Sequence, residues 1–162
     1  IKKLTKSFFE EIIEDYLGFN YKIDSIYFIR SDNVENHQQA RNLQQIWHHD
    51  SVGHRLKLFI GINKIPSCLG TEFIKFTNQI KYYDYNFTRI DIPHEKDHEE
   101  FVSLSEGEYL LFDTNTLHRQ SISKKSKYFQ RNLLCIEYSA WPKSFFLPKA
   151  KIGLWKKDGQ IL

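Results

Sequence analysis

The sequence predicts a mainly β domain, a sandwich or small barrel flanked by one N-terminal helix. Three observations predict it. Apolar residues recur at helical spacing only near the start of the chain. About eight short apolar stretches follow, several closed by turn residues. The chain has 162 residues, the length of one domain that can bury a single core.

The helix spans 4–17, where Leu4, Phe8, Ile12 and Tyr16 stand four residues apart. Phe9, Ile13 and Leu17 lie beside them and widen the apolar face. Ser7 and Glu10 have capping-box spacing, and Gly18 is a natural stop. Residues 24–30 read as a strand, and the polar run 31–44 reads as a loop. Further strand-like stretches are 45–48, 55–63, 69–76, 100–104, 108–113, 116–120 and 131–139. The last is apolar on both faces at Leu133, Leu134, Cys135 and Ile136, so it should be central and covered on both sides. The one long irregular stretch, 77–99, carries Tyr82, Tyr83, Tyr85 and Phe87. A loop of that length in a compact domain is more often functional than idle, and a lid over a substrate is its expected role. The expected organisation is a single domain over 1–162: helix 4–17, barrel core about 24–140, and a tail over 141–162.

Composition excludes several classes. The chain is 41% hydrophobic and 15% aromatic with seven Gly and four Pro, which excludes disorder. No apolar run approaches the ~20 residues of a membrane span, and no signal-peptide core opens the chain. A cytoplasmic protein with no membrane partner is expected. The net charge of +3 does not argue for nucleic acid without a clustered basic face. The lysine-rich end (Lys149, Lys151, Lys156, Lys157) reads as a solvated face. Cys68 and Cys135 stand in apolar surroundings and read as buried, reduced thiols. The chain contains no Met and begins at Ile1, so a processed or missing N-terminus is expected. The sequence leaves the oligomeric state unknown.

Chemistry concentrates in the seven histidines. In Trp47-His48-His49-Asp50, His48 and Asp50 are two residues apart. On a strand that spacing puts an imidazole and a carboxylate on one face. With one more His they make the two-His, one-carboxylate facial triad of non-heme Fe(II) oxygenases, which leaves adjacent coordination positions open. His-x-Asp alone is a weak signal that chance also supplies. Farther on, GEYLLFDTNTLHRQ ends an apolar strand at His118, and Arg131 opens the strand RNLLCIEYS. An Arg at the start of a doubly covered apolar strand is costly unless it meets an anion. A dicarboxylic co-substrate would supply one, with its far carboxylate on the guanidinium fork. Arg119, Lys125 and Lys127 are rivals, but only Arg131 begins an apolar strand.

The order W-H-x-D, LKLFIGIN, GEYLLFDTNTLH and RNLLCIEY resembles the phytanoyl-CoA dioxygenase-like branch of the Fe(II)/2-oxoglutarate oxygenases, over about residues 45–140. The resemblance implies a double-stranded β-helix, a jelly-roll or cupin-like barrel with iron at one mouth. It implies His48, Asp50 and His118 as iron ligands and Arg131 as the clamp on the C5 carboxylate of 2-oxoglutarate. It further implies O2 as oxidant, a small organic substrate and hydroxylation, with 2-oxoglutarate decarboxylated to succinate. Relatives that halogenate lack the carboxylate ligand, so Asp50 points to hydroxylation. Gln120 faces the same way as His118, and His54 lies near the expected mouth, so both are candidates for co-substrate contact. The chain departs from the pattern at LGTEFIKFTNQ, where relatives often end a strand in Pro-Gly-Ser-His, and at Gln120, where they often have a small residue.

A competing metal motif is His94-Glu95-Lys96-Asp97-His98, a formal HExxH. On a helix it would place two His one turn apart around zinc, with Glu95 as general base of a metalloprotease. Charged neighbours Lys96, Asp97, Glu99 and Glu100 read instead as a solvated segment. A catalytically silent barrel acting as a binding module is the third reading. Trp47 is expected in the core, His49 is expected to point away from the metal, and His37 reads as a loop residue.

Overall fold

The computed structural model describes residues 9–32, 47–50, 53–64, 69–79, 98–121 and 130–140. The helix α1, Glu10–Leu17, turns Ile13, Tyr16 and Leu17 inward. Gly18 ends it as expected, at φ 86°, a conformation that favours glycine, with its N–H on the Glu14 carbonyl at 2.8 Å. Of the expected helix 4–17, the described part is Glu10–Leu17. Phe9 holds the N-cap position with no side-chain cap, and residues 4–8, with Ser7 of the expected capping box, lie outside the described residues.

Seven strands follow among the described residues: β1 Tyr21–Asp32, β2 Arg55–Gly61, β3 Thr71–Ile74, β4 Glu99–Val102, β5 Tyr109–Asp113, β6 His118–Gln120 and β7 Gln130–Ala140. They form two sheets, one ordered β1-β7-β2-β5 and the other β4-β3-β6. Every neighbouring pair is antiparallel. This is the mainly β, cupin-like architecture the sequence predicts, with its flanking helix. The expected strand 45–48 is reduced to one bridge, His48 against His118, and 45–46 lie outside the described residues. β3 stops at Ile74, short of the expected 76, because Phe76 takes a left-handed φ of 66° and a short 3-10 helix, Thr77–Gln79, follows. Of the expected lid, 80–97 lie outside the described residues.

The period of two along the strands sorts the side chains into two cores. Phe59, Phe73, Val102, Leu104, Leu110, Phe112, Leu133 and Cys135 pack between the sheets. Leu56, Leu58, Leu111, Ile136 and Tyr138 face the other way, against Phe9, Ile13, Tyr16 and Leu17 of the helix region. β7 lies between β1 and β2 and contributes to both cores, so it is central and doubly covered, as its sequence requires.

The helix is also fastened by a polar contact. The Tyr16 hydroxyl donates to Asp113 Oδ2 at 2.5 Å, and both residues are buried. Replacing Tyr16 with Phe keeps the packing and removes one donor from a buried carboxyl group. The expected loss is about 1–3 kcal/mol, read from urea or thermal denaturation. An unchanged midpoint would show that the contact contributes nothing.

Cys135 is a free, buried thiol, in accord with the reduced reading, while Cys68 lies outside the described residues. Burial pushes the Cys135 thiol up to about 12, so almost no thiolate exists near neutral pH. Cys135 should resist alkylation at pH 8 until the protein is unfolded, as read by peptide mass mapping. Rapid labelling of the folded chain would contradict its burial.

Candidate metal and co-substrate site

Two backbone hydrogen bonds join the segment carrying His48 to β6, from His48 N to His118 O at 3.0 Å and from His118 N to His48 O at 2.8 Å. The pairing brings the two imidazole rings to 4.5 Å between centroids. The next bond along, from Asp50 N to Thr114 O at 3.0 Å, fixes the carboxylate beside them. One potential ligand atom from each of His48, Asp50 and His118 lies within 4.8 Å of the others. The sequence-predicted triad is therefore assembled, His48 and Asp50 from one short segment and His118 from the start of β6.

The tautomer of His118 follows from its partner. Its Nδ1 lies 2.7 Å from the Thr116 carbonyl, which can only accept, so Nδ1 carries the proton. In the neutral, ligand-competent ring Nε2 is the nitrogen with the lone pair, and it lies 3.5 Å from Asp50 Oδ2. Phe73 and Phe112 pack on the ring and hold its plane. Two imidazoles and a carboxylate suit a first-row divalent metal, with bonds of about 2.0–2.2 Å that a small inward movement would allow.

The triad opens on a cavity of about 200 Å³ between the two sheets. Arg131 lies at the cavity and is 5% exposed. Its guanidinium donates to Thr71 Oγ1 at 2.7 Å and to the Gly70 carbonyl at 3.2 Å, and its Nε has no partner. Burial lowers its pKa to about 10, which leaves it charged at neutral pH. No carboxylate partner to it is found among the described residues. A buried cation at a cavity with no carboxylate partner is a site for an anion. Gln120, Ser31, Ile29 and Leu133 line the same space.

The other expectations distribute plainly. His54 is not brought to the cavity. Its ring lies 5.7 Å from that of Tyr16, its carbonyl accepts from Ala140 N, and its Nε2 is buried without a partner. Its place beside the helix is not one that residue spacing alone reveals. Trp47 is buried with Ile74 and Leu117 as expected. Arg119 stacks over Trp47 at 4.2 Å and pairs with Glu72 at 2.5 Å, so its charge is compensated there. Lys125 and Lys127 lie outside the described residues, as do His37, His94 and Glu95. His98 lies against Phe76, with 5.9 Å between ring centroids. His49 Nδ1 is 2.7 Å from the Asp50 carbonyl.

Sequence reasoning left one group unassigned. Lys57 on β2 reaches Asp50 Oδ2 at 2.5 Å and Glu137 Oε1 at 3.1 Å. Glu137 also accepts from Tyr27 at 2.8 Å, Ser25 at 3.0 Å and Arg55 at 3.1 Å. Arg55 approaches Asp24 at 3.6 Å. The result is a row of alternating charge along the inner face of the larger sheet. The signal was present as single charges inside apolar strands, LKLFIG and LLCIEY. Burial opposes each carboxylate, yet His118 and Lys57 hold Asp50 well below its ordinary value, and Lys57 and Tyr27 lower Glu137. Burial likewise pulls the Lys57 ammonium down, but Asp50 outweighs it and the net shift is upward.

The fold is shared with non-heme monooxygenases of known structure. ThoJ, a non-heme monooxygenase in its apo form, matches with a TM-score of 0.60 at 13% identity, over 90% of this chain and 56% of that one. HygX from Streptomyces hygroscopicus with iron bound matches at 0.52 and 12% identity, over 86% of this chain and 66% of HygX. HygX with nickel and 2-oxoglutarate bound matches at 0.53 and 13% identity, over 86% of this chain and 63% of HygX. The chain thus spans less than two thirds of each of these neighbours, and at such identities the likeness is one of fold. No protein-family model and no curated protein matches the chain. No described helix is long and apolar enough to cross a membrane.

The charge row makes the metal-free protein acid-sensitive. Asp50 and Glu137 titrate lower when folded than when unfolded, where their ordinary values are 3.8 and 4.5. Their contribution to stability is full above that range and is lost progressively as pH falls below it, towards the lower folded values. Asp113, raised by burial, contributes with the opposite sign. The melting temperature of metal-free protein should fall progressively from about pH 5 downward, and less steeply in Glu137→Gln, if linkage at Glu137 is part of the cause. Parallel pH profiles for the two proteins would exclude Glu137.

Proposed function

We propose that the chain is a non-heme Fe(II)- and 2-oxoglutarate-dependent oxygenase of the phytanoyl-CoA dioxygenase-like branch, hydroxylating a small organic substrate in the cytoplasm. The observation that carries the reading is Arg131: a buried guanidinium without a carboxylate partner among the described residues, lining the same cavity as a His-Asp-His cluster. A metal centre alone does not require that cation. A dicarboxylate lying between metal and guanidinium requires both.

In this reading His48, Asp50 and His118 hold the iron, and His118 Nδ1 keeps its proton and donates it to the Thr116 carbonyl, so that Nε2 remains a ligand. Arg131 and the Thr71 hydroxyl hold the far carboxylate of the co-substrate. Bound together, iron and 2-oxoglutarate supply the oxidising chemistry: O2 is consumed, 2-oxoglutarate becomes succinate and CO2, and a substrate C–H becomes C–OH. Phe59, Ile29 and Leu133 line the cavity and exclude water from it. Asp50 occupies the position that a halide would need, which favours hydroxylation over halogenation. The likeness in fold to HygX, solved with nickel and 2-oxoglutarate, supports the choice of co-substrate.

Anaerobic protein with Fe(II) and 2-oxoglutarate should show a weak visible charge-transfer band. His118→Ala should abolish it. Arg131→Met should raise the 2-oxoglutarate concentration needed for the band by about 100-fold and leave metal affinity within about threefold. Absence of the band in the wild-type protein, or its persistence in His118→Ala, would overturn the proposal. A band without succinate formation across acyl, amino-acid, sugar and natural-product substrates would favour the silent barrel.

A further inference from the structure

We infer that Lys57, held by Glu137, is a positioning residue for the metal centre that aims the Asp50 carboxylate at the metal. The inference rests on the metal reading above and goes beyond its ligand set.

Lys57 stands on β2, directly opposite Glu137 of β7 in the strand register. Its side chain is 8% exposed, and its ammonium contacts one oxygen from each neighbour: Asp50 Oδ2 at 2.5 Å and Glu137 Oε1 at 3.1 Å. The Asp50 oxygen it contacts is the one that lies 3.5 Å from His118 Nε2. A carboxylate oxygen has two lone pairs, so it can accept from an ammonium and still face a metal. Asp50 sits on a short segment outside the regular strands and is fixed there through its backbone, so its side chain needs a separate restraint. Lys57 supplies that restraint from the rigid centre of the larger sheet. Glu137 is in turn fixed by Tyr27, Ser25 and Arg55, so the ammonium is anchored on the side away from the metal.

Charge alone argues the other way, and that makes the inference sharp. An ammonium beside a dication site repels the metal. Its removal would tighten binding if repulsion were its main effect. Its removal weakens binding if the hydrogen bond that orients Asp50 matters more. The sign of the change decides between them.

The experiment measures Co(II) affinity and the visible d–d absorption of the Co(II)-loaded full chain, without co-substrate. Lys57→Met keeps the length and removes the donor. It should bind Co(II) about 10–100-fold more weakly, with an altered d–d spectrum. Lys57→Arg should recover most of the affinity. Equal or tighter binding in Lys57→Met with an unchanged spectrum overturns the inference. If Lys57→Met does not fold, Glu137→Gln carries the test, because it keeps the ammonium and weakens only its anchor. A severalfold loss of Co(II) affinity supports the inference, and wild-type affinity and spectrum overturn it. Wild-type protein that takes up no Co(II), like His118→Ala, would instead sink the metal reading itself. Wild-type binding that His118→Ala abolishes and Lys57→Met leaves intact would sink the Lys57 role alone.

Discussion

The candidate site depends on the fate of one buried carboxyl group. Asp113 ends β5, is 1% exposed, and carries a pKa raised by that burial. It is tolerated because four donors converge on it: the Tyr16 hydroxyl, the Asn78 amide, and the backbone and side-chain N–H groups of Asn115. Those partners come from the helix, the short 3-10 helix and the turn after β5. Asn115 passes the constraint on, because its side chain also exchanges two hydrogen bonds with the Gly53 backbone, at 3.2 and 2.7 Å. Gly53 follows the Asp50 segment, and Thr114, inside the same turn, accepts from Asp50 N. Thr116 closes the turn and orients His118. A carboxyl group that takes no part in the chemistry thus fixes the two segments that do.

The inner face of the larger sheet reverses the usual order of a β strand. On β1, Ile26 and Phe28 are 45% and 74% exposed on the outer face. Ser25 and Tyr27 point inward, where they bond Glu137. Polar residues inside and apolar ones outside make little sense for a stability core. They are consistent with an interior that contains a row of charges and a cavity. Along the row Asp24, Arg55, Glu137, Lys57 and Asp50 alternate in sign, so each cation lies between two carboxylates. Arg131 stands apart from it, with neutral partners at Thr71 and Gly70. Buried ion pairs can be replaced by apolar packing at little loss of stability. Their retention around Asp50 therefore speaks more for geometry than for stability.

Much of this was legible in the sequence because it rests on periodicity and on the oddity of isolated charges. The helix stop at Gly18, the doubly covered β7, the buried Trp47 and the grouping of His48, Asp50 and His118 follow from spacing that the fold preserves. Other features were not legible. The stretch 45–48 has strand-like composition, yet of its described residues, Trp47 and His48, only His48 pairs, in a single bridge to His118. His54 is four residues from Asp50, but the turn at Gly53 directs it to Tyr16 and away from the cavity. β1 extends from Tyr21 to Asp32, beyond the apolar run 24–30, because pairing with β7 recruits polar residues that no hydrophobic pattern marks. Lys57 and Glu137 were visible as charges, but their meeting is a fact of register, set by strands eighty residues apart in the chain.

The two sheets are tied across the site by two cations of the larger one. Lys57 reaches from β2 to Asp50 at the metal end, and Arg131 reaches from β7 to Thr71 and Gly70 at the other. The first contact runs to a segment outside the strands, the second to the start of β3 and the glycine before it. Each rigid element thereby orients a mobile kind of group, a side-chain carboxylate in one case and an incoming anion in the other. Lys57 is held between two carboxylates, Asp50 and Glu137, whereas Arg131 lines the cavity with only neutral partners, Thr71 and Gly70. The difference in charge compensation separates their roles. A cation held between two fixed carboxylates positions what it touches, while a buried cation with neutral partners at a cavity is suited to receive an anion.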